Sequence, residues 1–103
     1  MNIVFHYLYR DAANYKKYGY VIFANPDNID LLEIQSLIKS KLVYGEWFYT
    51  HEWRLPELFL DIFDFNLDPT WHEFECIEYT DESFDSDLNL RDFIKLVEQT
   101  KLP

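Results

Sequence analysis

Cysteine occurs once in the 103 residues, as Cys76, methionine once, glycine twice and proline four times. A lone thiol excludes an intrachain disulfide and the multi-thiolate clusters of structural zinc sites, and it predicts a reducing, cytoplasmic setting. Two glycines leave no material for a phosphate-cradling loop or a dinucleotide fingerprint, both of which need glycines close together. Sparse glycine and proline also argue against a disordered chain, and a hydrophobic content of 49% permits a packed core. No apolar run approaches the ~20 residues that a bilayer-spanning helix needs. Met1–Tyr9 is apolar but lacks the basic flank and small-residue cleavage site of a secretory signal, so neither export nor membrane insertion is expected. The length predicts one compact domain, residues 1–103, able to bury roughly two thirds of its unfolded surface.

The most informative absence is of positive charge. Residues 1–45 hold five Lys/Arg against four Asp/Glu, whereas residues 46–103 hold four against fifteen. Between Pro56 and Leu90 there are eleven acids and no Lys or Arg at all, so local salt bridges cannot neutralise the segment. Its field repels nucleic acid and anionic membranes and attracts basic surfaces. Direct nucleic-acid binding is therefore not expected, Arg10, Lys16 and Lys17 being the one basic cluster. Repulsion among the acids also predicts that mild acid or added salt stabilises the fold.

Ile3–Arg10 and Tyr18–Ala24 read as two strands of a hairpin with a basic tip. Asn25-Pro26-Asp27-Asn28 is a turn leading into a helix. Asp30 and Glu33 have capping-box spacing there, with Asn28 as the alternative cap, Leu31, Ile34, Leu37, Ile38 and Leu42 form its apolar stripe, and Gly45 is placed to end it. Residues 46–54 (EWFYTHEWR) fit either a bulged strand or a helical turn. Glu57–Phe63 and Thr70–Thr80 read as two further strands. A last helix is expected over Asn89–Thr100, with Leu90, Phe93, Ile94 and Val97 on one face. The expectation is an α+β domain in ββαββα order, with a mainly antiparallel sheet of about four strands and two helices on one face.

Motifs that specify chemistry are incomplete. His51-Glu52 and His72-Glu73 each adjoin a tryptophan, and on a helix His72 and Cys76 would share a face as metal ligands. On the strand that the residues favour, His72, Phe74 and Cys76 point one way and Glu73 and Glu75 the other. Asp85, Asp87 and Asn89 match the first ligands of a calcium loop, but Leu90 and Leu96 stand where glycine and a bidentate acid are required. No nucleophile motif, acid–base pair or cofactor signature stands out, and enzyme activity of any class ranks last.

Three Trp, eight Tyr and nine Phe are the second unusual feature. Rings among carboxylates suit a protein interface in which acids steer a basic partner and rings anchor it. The leading expectation is an acidic protein-binding module, an inhibitor or immunity-type protein for a basic, for example nucleic-acid-handling, protein. It draws on Glu57, Asp61, Asp64, Glu73 and Glu75 for charge and on Trp47, Trp53 and Trp71 for anchors. The alternative is a metal or small cationic-ligand site built from His, Cys, acids and aromatics, with His72, Cys76, Asp85 and Asp87 as the metal candidates. Nothing in the pattern specifies an oligomeric state.

Overall fold

The computed structural model describes residues 1–102. In chain order the elements are β1 (Asn2–Arg10), β2 (Lys16–Phe23), α1 (Leu31–Ser40), β3 (Trp47–Phe48), α2 (Thr50–Trp53), β4 (His72–Thr80) and α3 (Leu90–Glu98). They form an α+β fold with a four-stranded antiparallel sheet in the order β2-β1-β4-β3. Among the described residues no helix is long and apolar enough to cross a membrane.

The hairpin forms in the expected place, pairing Ile3 with Phe23 through to Arg10 with Lys16. Its turn is closed by the Asp11 carboxylate, which accepts from the Tyr15 amide at 2.8 Å, and by Asn14 at φ 69°, a residue type that tolerates the left-handed region. Asp30 caps α1 by accepting from the Leu32 and Glu33 amides, and Asn89 caps α3 by accepting from the Asp92 amide at 2.9 Å. Gly45 does not end α1, which stops at Ser40. With φ values of 53° and 74°, Tyr44 and Gly45 instead turn the chain so that the Val43 amide meets the Trp47 carbonyl at 2.8 Å.

The segment 46–54 contains one short piece of each kind, strand β3 and helix α2. The strand expected at Glu57–Phe63 does not form. β3 takes only the start of β4's outer edge, pairing Trp47 with Glu73 and Phe48 with His72, and residues 57–63 run as irregular chain whose Leu58 amide donates to the His72 side chain. The expected ββαββα order is thus replaced by ββαβαβα, with three helical elements instead of two.

Residues Ile3, Phe5 and Tyr7 of β1, Val21 and Phe23 of β2, and Ile77 of β4 form one buried cluster with Ile34 and Ile38 of α1, Trp53 of α2, and Phe93 and Val97 of α3. Phe5 lies at its centre, with the rings of Tyr7, Phe48, Trp53, Phe74 and Phe93 at centroid distances of 5.3–6.2 Å. Val4, Leu8 and Ile22 are also buried but lie outside this cluster, on the second face of the sheet.

A bulge interrupts the β1–β4 ladder. His6 pairs with Cys76 but Tyr7 pairs with Phe74, so Glu75 is the extra residue. The bulge reverses the expected alternation: His72 and Phe74 face the helices, and Cys76 crosses to the second face beside His6.

Candidate functional site

Between α2 and β4 the chain runs for eighteen residues, Arg54–Trp71, without regular structure. Its path is nevertheless fixed by buried polar groups of the sheet. The Tyr7 hydroxyl donates to the Pro56 carbonyl at 2.6 Å and the Tyr9 hydroxyl to the Pro69 carbonyl at 2.7 Å. Burial pushes both phenols up to about 12, helped by Asp85 for Tyr7 and by Asp68 and Asp11 for Tyr9. The Leu58 amide donates to His72 Nε2 at 2.9 Å. Leu58 packs so closely on Gly19 that a Cβ there would stand 2.8 Å from its Cδ2, so the absence of a side chain at 19 admits the segment.

His72 is 0% exposed and ringed by Tyr7, Tyr9, Phe48 and Phe59 at 5.0–6.3 Å. Accepting at Nε2 places its proton on Nδ1, which makes no hydrogen bond. Burial pulls its pKa down to about 4; the Thr70 backbone opposes this, but not at a geometry that satisfies Nδ1. His72 is a neutral core histidine that holds the loop.

Residues Asp61–Asp68 (DIFDFNLD) form the outermost part of this segment. Asp64 and Asp68 fold it: the Asp64 amide donates to Asp68 Oδ2 and the Asn66 amide to Asp64 Oδ1, each at 2.8 Å, while the Asp68 amide returns to the Asp64 carbonyl at 2.8 Å. Asp68 Oδ1 also accepts from the Ala12 amide at 3.0 Å, tying the loop to the hairpin turn. These amides hold the Asp68 carboxyl below its ordinary pKa. Around these carboxylates the loop pushes apolar side chains outward: Ile62 is 86% exposed, Phe65 90% and Leu67 70%.

The apolar surface continues on both sides of this tip. One cleft joins Tyr15, Ile62 and Leu67; a second, of about 520 Å³, joins Leu67 to Trp47 and Trp71; a third is lined by Val43, Tyr44, Trp47, Tyr49 and Trp71. Trp47 stands 5.7 Å from Trp71 and 6.0 Å from Tyr44. The result is a strip from the hairpin turn to the β3 edge. Asp11, Asp61, Asp68 and Glu73 line its clefts, with Arg10 held to Glu73 at 3.1 Å.

The expected site residues separate on the molecule. Trp47 and Trp71 lie in this strip, but Trp53 does not: its ring stacks on Phe48 at 4.7 Å in the core, its Nε1 donates to Thr100 Oγ1 at 2.6 Å, and it presents nothing to a partner. Asp61 and Asp64 are exposed on the loop, and Glu57 is exposed near its start. Glu73 is half-buried against Arg10, and Glu75 projects from the bulge, so the two do not form an even row. His72 and Cys76 are on opposite faces and cannot share an ion. Asp85 Oδ1 accepts from the Ile22 amide at 2.8 Å, and the Asp85 and Ser86 amides donate back to the Ile22 carbonyl. With Asn89 capping α3, two of the three oxygens proposed for a calcium loop are committed to backbone; Asp87 is exposed in a cleft that Arg54 and Asp85 also line.

Two features escaped the sequence reading. Tyr44 and the Ile62/Phe65/Leu67 tip were not singled out, although apolar residues spaced between Asp61, Asp64 and Asp68, with Asn66 and Pro69 alongside, carried a turn signal. His6, Cys76 and Glu78 also meet on the second face. Burial and then Glu78 and Glu75 push the Cys76 thiol above its ordinary pKa. No family model, curated protein or solved structure matches the chain.

Proposed function

We propose that the protein is an acidic binding module for a basic protein surface, with the Asp61–Asp68 tip and the Tyr44/Trp47/Trp71 cluster as its contact strip. The observation that carries this reading is the tip. Ile62, Phe65 and Leu67 are almost wholly exposed on a loop whose shape is fixed by its own carboxylates. Contiguous exposed apolar surface of this kind marks interaction sites, and a loop ordered before binding loses little further entropy when it docks. The flanking acids define the partner: an apolar pocket within a positively charged surface. Nucleic-acid-handling proteins carry such surfaces, and a domain seated there would exclude nucleic acid and act as an inhibitor. Self-association through the same strip is opposed by a charge of −10 on each copy.

The test has two stages. Untagged protein immobilised through its N-terminus should capture a basic protein from native lysate at low salt and release it at high salt. Binding kinetics with that partner should then divide by residue. Changing Glu57, Asp61, Asp64 and Glu75 to their amides should slow association and flatten its salt dependence. Phe65→Ser or Trp71→Ala should speed dissociation and cost about 2 kcal/mol or more. An acidic partner, or kinetics that none of these changes alters, would overturn the proposal.

A further inference from the structure

The β1–β4 bulge has assembled a set of metal-ligand atoms that the spacing in sequence hides. Cys76 is directly opposite His6 in the ladder, and Glu78, two residues further along β4, projects to the same face. A ring nitrogen of His6, Cys76 Sγ and a Glu78 carboxylate oxygen all lie within 4.8 Å of one another. Without the bulge, Cys76 would face the helices with His72 and Phe74, and the three atoms would be divided between two faces.

We propose that His6, Cys76 and Glu78 bind a zinc ion. Zinc is bonded at about 2.0–2.1 Å by imidazole nitrogen, 2.0–2.2 Å by carboxylate oxygen and 2.3 Å by thiolate, so tetrahedral donors stand roughly 3.3–3.6 Å apart. His6 Nε2 and Glu78 Oε2 are already 3.3 Å apart. Sγ, within 4.8 Å of the other two atoms, has to close the remaining gap by adjustment of the Cys76 side chain. The ligand chemistry selects the metal: thiolate and imidazole favour zinc over calcium and magnesium, which take oxygen. Binding displaces the Cys76 thiol proton to solvent and leaves a neutral imidazole donating through Nε2.

The surroundings suit an ion that enters from solvent. The His6 side chain is 30% exposed and that of Glu78 64%, and a cleft of about 280 Å³ beside them is lined by Val4, Tyr20, Thr80 and Glu82. Three protein ligands leave a fourth position open to water or an incoming side chain. The molecule's strong negative charge raises the local cation concentration. This site stands on different residues from the contact strip, and either can fail without the other.

The experiment titrates untagged full-length protein with Zn²⁺ against a chromophoric chelator, and with Co²⁺ as a spectroscopic probe. The expected result is one ion per chain at micromolar metal or below, with a thiolate-to-cobalt charge-transfer band and the intense visible bands of tetrahedral Co²⁺. Cys76→Ser should abolish the charge-transfer band. His6→Gln and Glu78→Gln should each weaken zinc at least tenfold, and His51→Gln should leave affinity unchanged. The cobalt spectrum of the unaltered protein decides the matter even where a variant folds poorly. Absence of saturable binding, several ions bound per chain with no thiolate band, or unchanged affinity in a folded Cys76→Ser or His6→Gln protein would overturn the proposal.

Discussion

Lowering the pH from 7 to 5 puts a proton on His72 in the unfolded chain and keeps it off in the folded one. In the core the ring is fully enclosed, its Nε2 lone pair is taken by the Leu58 amide, and burial holds its pKa at about 4 against an ordinary 6.5. A base with a depressed folded pKa gives stability that is whole above the unfolded value and is lost as the pH falls through the window from 6.5 towards 4. Between pH 7 and pH 5 the linkage relation sets a ceiling of about 2 kcal/mol. Buried sites relax and admit water, so that about 1 kcal/mol is the expected loss. For a domain of this size that lowers the melting temperature by roughly 4–8 °C. The direction is opposite to the gain expected from repulsion among the acids. Asp68, held low by its amides, also loses stability in acid, but only within the carboxylate range below this window. Melting curves at constant ionic strength from pH 7 to pH 5 read the effect, with His72→Gln as the control, because Gln retains an acceptor for Leu58 and does not titrate. An equal fall in His72→Gln, a rise in the wild type, or an NMR titration of the His72 ring midway above pH 6 would refute the reasoning.

Asp68→Ala should release the loop from the hairpin turn: exchange of the Ala12 and Asp64 amides should quicken and proteolysis between residues 61 and 68 should increase, while the core amides of β1 keep their protection. Arg54 ends α2 in the left-handed region at φ 53°, where glycine is unstrained, so Arg54→Gly should raise stability by about 0.5–1 kcal/mol in denaturant titrations. A loss there would show that the Arg54 side chain makes a contribution larger than its backbone strain.

Elements with a local cause were legible in the sequence. Asp30, Asn89 and the apolar stripes of α1 and α3 mark those helices, because capping and periodicity act within a turn or two. The hairpin was legible for the same reason. What was not legible depends on competition for partners. Leu58, Phe59, Leu60 and Ile62 have the composition of a strand, yet β3 takes the His72–Glu73 end of β4 and the Leu58 amide goes to the His72 ring, so the segment pairs with no strand. The bulge at Glu75 is the sharpest case: a single extra residue exchanges the faces of Cys76 and its neighbours, and no spacing rule places it. Trp53 was indistinguishable from Trp47 and Trp71 by residue type; the one-turn helix that turns it inward lay in the segment whose aromatics fitted both strand and helix.

The clamp of Asp85 and Ser86 on Ile22 has a consequence for how the molecule behaves when crowded. β2 is an outer strand, and in an antiparallel pair alternate residues turn both backbone groups away from the neighbour, so Tyr18, Tyr20 and Ile22 offer the row on which another chain could add a strand. Residues 85 and 86 occupy the Ile22 end of that row, and Lys16 and Lys17 stand at the other. The template left open is two outward-facing residues long, too short to seed a fibril. A domain that exposes Phe65, Ile62 and Tyr44 for contact thereby leaves little of its β2 backbone open to a second chain, and the stickiness of that side stays with its side chains.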